Sequence, residues 1–304
     1  MIKTVTVTNH RGDSVVMELR KPTDSGFAIT EIEGLGPVSA NINTTEIVSY
    51  DGSIFNSSRG TERNIVFHLT FLGIDIEEIR HKTYLYFPLK QLITIRVETD
   101  HRLCETTGYV ESNEPDIFAD DGEGCTISVI CPDSWFDDVS EEGQFDVSYF
   151  GIDPLFEFPF SNESLTEDLI EFGNIRNSFE ETFYYDGEVD TGFVLTIHAL
   201  GDVGDITIYN SDTLESMTID SAKLAGITGH ALQSGDDLII STVKGRKSAR
   251  LLRNAQYTNV LNCIGRGSVW FQLSQGENTY AYILEEDSAN IQLTFDVQNL
   301  FQGV

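Results

Sequence analysis

Apolar residues recur at every second position over most of this chain. "KTVTVT" at residues 3–8 alternates strictly, and "NIVFHLTFLG" puts Ile65, Phe67, Leu69 and Phe71 on one face and Val66, His68 and Thr70 on the other. A repeat of two is the signature of a strand with one buried face. "LITIRVET", "CTISVIC", "GFVLTIHAL", "DITIYN", "DLIISTV", "SVWFQL", "TYAYILEE" and "IQLTFDV" repeat it, bounded by Gly, Asp, Asn or Ser. Their Val, Ile, Thr and aromatic content suits a pleated, half-buried surface. The pattern predicts a mainly β protein.

One segment breaks the alternation. "IDIEEIRHKTYLYFP" opens with acids, spaces Ile76, Ile79, Thr83 and Phe87 along one helical face, and ends at Pro88. Proline cannot donate the next backbone hydrogen bond, so a helix is predicted over about 76–87. "NESLTEDLIEF" at 162–172 is a second helical candidate, beside a stretch where no period is sustained. That stretch, "FDDVSEEGQFDVSYFGIDPLFEFPFSNES", mixes acids, prolines and aromatics. It divides the chain into a domain of strands with one helix (1–136), a linker (137–164) and a nearly all-strand domain (165–304). Antiparallel strands with turns roughly every eight to twelve residues predict a β-sandwich or jelly roll for the last. No repeat of fixed period is evident.

Composition narrows the function. The 304 residues are 40% hydrophobic and 22% charged, within the range of folded chains, yet 49 acids against 19 bases give a net charge of −30. Such a field repels DNA and anionic membranes, so ordinary nucleic-acid binding is not expected. No stretch of eighteen apolar residues and no secretory leader is visible. Cys104, Cys125, Cys131 and Cys263 lack C-x-x-C spacing and are read as free, mostly buried thiols of a protein assembled in a reducing cytoplasm.

Against the acidic background, "VKGRKSAR" stands out: Lys244, Arg246, Lys247, Arg250 and Arg253 crowd ten positions. A P-loop needs a glycine directly before its lysine and another five residues earlier, and this segment has neither. The reading left is a hairpin turning near Lys244 and Gly245, its charge serving either an acidic partner or only solvent. His10, His68, His81, His101, His198 and His230 are scattered without zinc spacing, and His68 reads as a packed or hydrogen-bonded strand residue. "DIFADDGEG" at 116–124 lacks the spacing of a calcium loop; it could gather a weak cation, but a solvated acidic turn is the reading preferred. No G-x-S-x-G elbow is present, and 49 acids nominate no particular carboxylate pair. Catalytic, cofactor-binding and metal-binding residues are therefore all expected to be none. Trp135, Trp270, Tyr280 and Tyr282 are the aromatics that an exposed sugar platform would use, although alternation in "SVWFQL" sends either Trp270 or Phe271 to the core.

The ordered segments carry a resemblance that no single motif does. "EIVSYDGSIFNSSRGTERNIVFHLTFLG", the helix "IEEIRHKTYLYF", and "LITIRVETDHRLCETTGYVESNEPDIFADDGEGCTISVICPDSWF" are similar to the N-terminal domain of the siphophage distal tail (Dit) protein family. There a "DGS" turn precedes a long strand and helix, and the domain closes on a "GYVE…EP.IF" segment and a strand ending in "CPD". Here Ser134 and Trp135 stand where proline and tyrosine are common. "PLFEFPF" resembles that family's aromatic-proline linker, "SGDDLIISTVKGRKSARLL" one of its hairpins, and "SVWFQLSQGENTYAYILEEDSANIQLTFDVQNLFQGV" its terminal strands and tail.

The resemblance implies a non-enzymatic structural protein of the virion, assembled in the host cytoplasm and placed at the distal end of a phage tail. An N-terminal β-sandwich or split-barrel domain would form a hexameric ring, with a C-terminal galectin-like jelly-roll β-sandwich outside it. The implied partners are five further copies, the tail tube protein, the tail-associated hub protein and receptor-binding or baseplate rim proteins; DNA would pass without binding, and no membrane or cofactor is involved. An acidic channel would suit that passage. The alternative is a carbohydrate-binding module recognising host cell-wall polysaccharide through exposed aromatics of the second domain.

Overall fold

The computed structural model describes residues 1–48, 51–118, 123–140, 143–149, 151–153, 174–176, 180–284 and 291–304. The chain divides into two compact units, one of Met1–Gly143 with Asn299–Val304 and one of Gln144–Gln298.

The first unit contains β1 (Thr4–Asn9), β2 (Ser14–Glu18), β3 (Phe27–Glu33), β4 (Ala40–Glu46), β5 (Ser53–Gly60), β6 (Arg63–Phe71), α1 (Ile76–Tyr86), β7 (Leu92–Glu98), β8 (Leu103–Pro115), β9 (Gly124–Cys131) and β10 (Phe136–Asp138). Seven of them run in the order β2-β1-β7-β8-β9-β6-β3 through one nine-stranded antiparallel sheet, which β10, paired to β8, and Leu300–Phe301 join off that path. Its end strands β2 and β3 come back into contact, so the sheet curls into a nearly closed barrel. The alternation read from the sequence points inward: Val5, Val7, Ile65, Phe67, Ile95, Val97, Ile127 and Val129 share one core. Helix α1 packs on β1, β6 and β8. Asp75 caps it by accepting from the Glu78 amide, Ile79 and Thr83 are buried, and Phe87 meets Phe67 edge-on at 5.5 Å.

The second unit contains β11 (Gln144–Tyr149), β12 (Gly151–Asp153), β13 (Asn174–Arg176), β14 (Glu180–Tyr185), β15 (Val194–Ala199), β16 (Ile206–Asn210), β17 (Ser216–Ile219), α2 (Ser221–Thr228), β18 (Asp237–Ser241), β19 (Ser248–Arg253), β20 (Gln256–Asn259), β21 (Gly276–Leu284) and β22 (Ile291–Gln298). A six-stranded sheet, β11-β22-β15-β18-β19-β20, and a four-stranded sheet, β14-β21-β16-β17, supply their inward residues to a single core. This is the expected β-sandwich. Aromatic rings fill its centre: Tyr280 lies 5.3 Å from both Phe271 and Phe295 and 5.4 Å from Phe193.

Some sequence expectations need revising, and others fall outside the described residues. The last residues were expected with the second domain, but Leu300–Phe301 pairs with β10, and the chain returns to the first unit. Within the expected linker, Gln144–Tyr149 is a strand of the six-stranded sheet, because Phe145 and Val147 find that core. "SVWFQL" is no strand: only Leu273 bridges, to Thr191, while the Val269 amide bonds Ser216 and the Ser268 hydroxyl takes the Thr218 amide. The helical candidate at 162–172 lies outside the described residues, as does "PLFEFPF"; the helix that sequence reasoning passed over is α2. Its signals were present, since Asp220 caps its start and Gly229, at φ 89°, ends it.

Candidate assembly surface

Strands β4 and β5 pair only with each other among the described residues, and every residue in both is exposed. Their register places Ile42 and Phe55 on one face and Ile54 on the other. These side chains are 60%, 60% and 49% exposed. A two-stranded ribbon wet on both faces is marginal in water, and its two free edges offer unpaired backbone groups. Covering three such side chains stabilises a contact by roughly 1 kcal/mol or more each. At its base the Thr61 amide and hydroxyl both donate to the Ser39 carbonyl and Ser134 Oγ donates to the Thr61 carbonyl.

Arg63 anchors the neighbourhood of that base. It belongs to the buried face of β6, at 1% exposed. Its guanidinium donates to the carbonyls of Gly34, Gly36 (2.7 Å), Ser134 (2.8 Å) and Gln302 (2.7 Å), and lies 4.2 Å over the Phe136 ring. One side chain thus joins the segment before β4, the turn after β9 and the C-terminal tail. Burial pushes its pKa down from the guanidinium norm, yet an arginine remains protonated at any ordinary pH. Gly34, at φ 82°, admits no side chain: a Cβ there would lie 1.9 Å from the Asn64 carbonyl oxygen.

The basic cluster resolves into two roles. Lys244, Arg246 and Lys247 stand exposed at the β18–β19 turn, closed by the Arg246 amide donating to Val243 with Gly245 at φ 80°. Lys247 lies 5.6 Å from the Trp270 ring, and Arg250 5.6 Å from that of Tyr257. Arg253 turns inward instead, donating from Nε and Nη2 to the two oxygens of Asp236 (2.9 and 2.5 Å) and from Nη2 to the Ala231 carbonyl. Burial alone would raise the Asp236 carboxyl, but hydrogen bonds from Arg253 and the Gln233 amide hold it below the usual carboxylate value.

The remaining candidates scatter. Tyr280 and Tyr282 are 1% and 2% exposed, which removes them from any sugar platform. Phe271 takes the core position, leaving Trp270 half-buried beside it, and Trp135 is half-buried in the other unit. All four cysteines are buried thiols outside any disulfide; desolvation pushes the Cys125 thiol up to about 12 and those of Cys131 and Cys263 to about 11. His10, His81, His101 and His230 are exposed, and His198 meets Asp237 across strands at 2.6 Å. His68 faces Glu33, Nε2 to Oε1 3.3 Å. Of "DIFADDGEG", residues 119–122 lie outside the described residues.

No family model matches the sequence, and no curated protein matches it. Solved structures do. The Dit protein of phage SPP1, described as a paradigm of the hub adsorption apparatus of phages infecting Gram-positive bacteria, is similar with a TM-score of 0.63 at 11% identity, over 98% of this chain and 100% of that one. Chains of the phage p2 baseplate in its activated conformation, with Ca and with Sr, match at TM-scores of 0.45 and 0.43 (11% and 10% identity), over 98% of this chain and 99% and 98% of those. From end to end the chain has the fold of the SPP1 Dit protein, the fold that its ordered sequence motifs resemble.

Proposed function

We propose that this chain is a structural distal tail protein: six copies close into a ring that joins a phage tail tube to the tail tip and lets DNA through. The observation that carries the reading is the β4–β5 ribbon, whose two wet faces and apolar side chains call for cover from another copy. The fold likeness to a hub protein supports it, as does the scarcity of grouped catalytic side chains in the sequence. In this role the protein is no enzyme. Its neighbours are the tail tube protein, the tail-associated hub protein and receptor-binding or rim proteins, and its place is the distal end of the virion tail after assembly in the host cytoplasm.

The charge of −30 suits the same role, because acids lining the channel keep a polyanion from sticking. The exposed cations at Lys244, Arg246 and Lys247 offer an acidic neighbour a docking point on the second unit, and opposite patches fix orientation. A carbohydrate-binding role loses two of its four aromatics to the core.

Mutation of the ribbon tests the reading. Ile42→Ser with Phe55→Ser leaves each copy folded by circular dichroism and converts rings to single copies in light scattering. An assembled state unchanged by the double substitution contradicts it.

A further inference from the structure

Strand β3 reads "FAITEIE", and its two isoleucines are three positions apart. Strict alternation can bury only one of them. The strand turns both inward, each half-buried, by a β-bulge at Thr30: Ile29 pairs with Leu69, and Glu31, not Thr30, pairs with His68. Thr30 then donates its hydroxyl to the His68 carbonyl at 2.9 Å. Ile29 and Ile32 both pack on the barrel core. The same shift carries Glu31 and Glu33 to the outer face, where His68 of β6 stands. Without the bulge the two carboxylates would point into the barrel.

We propose that Glu31, Glu33 and His68 form a divalent metal site of the zinc type. One ligand atom from each lies within 4.8 Å of the other two. A tetrahedral zinc ion holds its donors about 3.4 Å apart, so small side-chain rotations close the set and leave a fourth position for water. The imidazole already has a ligand's orientation, with Nδ1 3.4 Å from the Thr126 hydroxyl on β9 and Nε2 facing the Glu33 carboxylate. A histidine ligand whose other nitrogen donates to a fixed partner is the usual outer-shell arrangement. Any proton on Nε2 leaves as the metal binds. Two carboxylates neutralise the ion. The nitrogen donor favours zinc over calcium, which prefers six or more oxygens. The bound ion would tie β3, at one end of the sheet order, to β6, stiffening the barrel independently of any ring.

Calorimetric titration of the full chain with zinc chloride tests the site. One ion per chain is expected, with calcium at least tenfold weaker and zinc raising the thermal midpoint. His68→Ala and Glu33→Gln should each weaken zinc binding at least tenfold and abolish the thermal shift, whereas His198→Ala should change neither; the second variant is isosteric and keeps the fold. The proposal is overturned by no saturable binding up to about 1 mM zinc, by binding that survives both His68→Ala and Glu33→Gln, or by a preference for calcium.

Discussion

Arg63 lies on the same side of β6 as Ile65, Phe67, Leu69 and Phe71, so the alternation that marked those four for the core marked an arginine too. Its parity was legible in the sequence; its partners were not, because the carbonyls it binds come from segments far away in the chain. Removing it strands those carbonyls in a dry site, so Arg63→Ala should cost about 3–5 kcal/mol by urea denaturation. Arg63→Lys should recover little, since one ammonium cannot span the same fork of acceptors. The Asn254–Ala255 turn between β19 and β20 makes an opposite case. Both residues have positive φ, 50° and 61°, the geometry in which glycine is favoured at the second position. Ala255→Gly should stabilise the protein by about 0.5–1 kcal/mol, read as a raised urea midpoint at unchanged slope.

At the scale of elements, strands with a buried face were legible because their period is local. The bulge in β3 was equally written in the spacing of Ile29 and Ile32, although choosing bulge over helix required knowing that β6 lies alongside. "SVWFQL" misled for the converse reason: its alternation is real, but Phe271 reaches the core from an irregular crossing. Arg253 was read with the exposed cations, and only the fold brings it to Asp236. That pair carries a pH signature. The folded Asp236 carboxyl sits below its ordinary value of 3.8, so the pair's contribution is complete above about pH 4 and is lost as pH falls through the lower folded value. Asp236→Asn should therefore destabilise by about 1–2 kcal/mol at pH 7, a fully buried pair's cost being reduced because Arg253 remains 20% exposed. The gap between wild type and variant should narrow below about pH 4. A gap constant from pH 7 to pH 2 would mean that the charge is not what stabilises the contact.

For the whole molecule, two cores with a C-terminal strand returning to the first explain why the motifs had to be read in order. Each is weak alone, and together they trace a chain path that a known hub protein shares at 11% identity. What the sequence could not supply is which surface meets another copy. Exposure of both faces of the β4–β5 ribbon is visible only once every other strand has found its place. The exposed cations at the β18–β19 turn lie on a different unit from that ribbon. Replacing Lys244, Arg246 and Lys247 with Ser should leave the assembled state unchanged in light scattering while weakening, in a salt-sensitive way, attachment of an acidic neighbour. Class averages of the purified full-length protein by electron microscopy, paired with its mass in solution, test the central proposal most directly. Six-fold rings of six copies around an open channel are expected. A strict monomer at high concentration, even beside its tail neighbours, would contradict it.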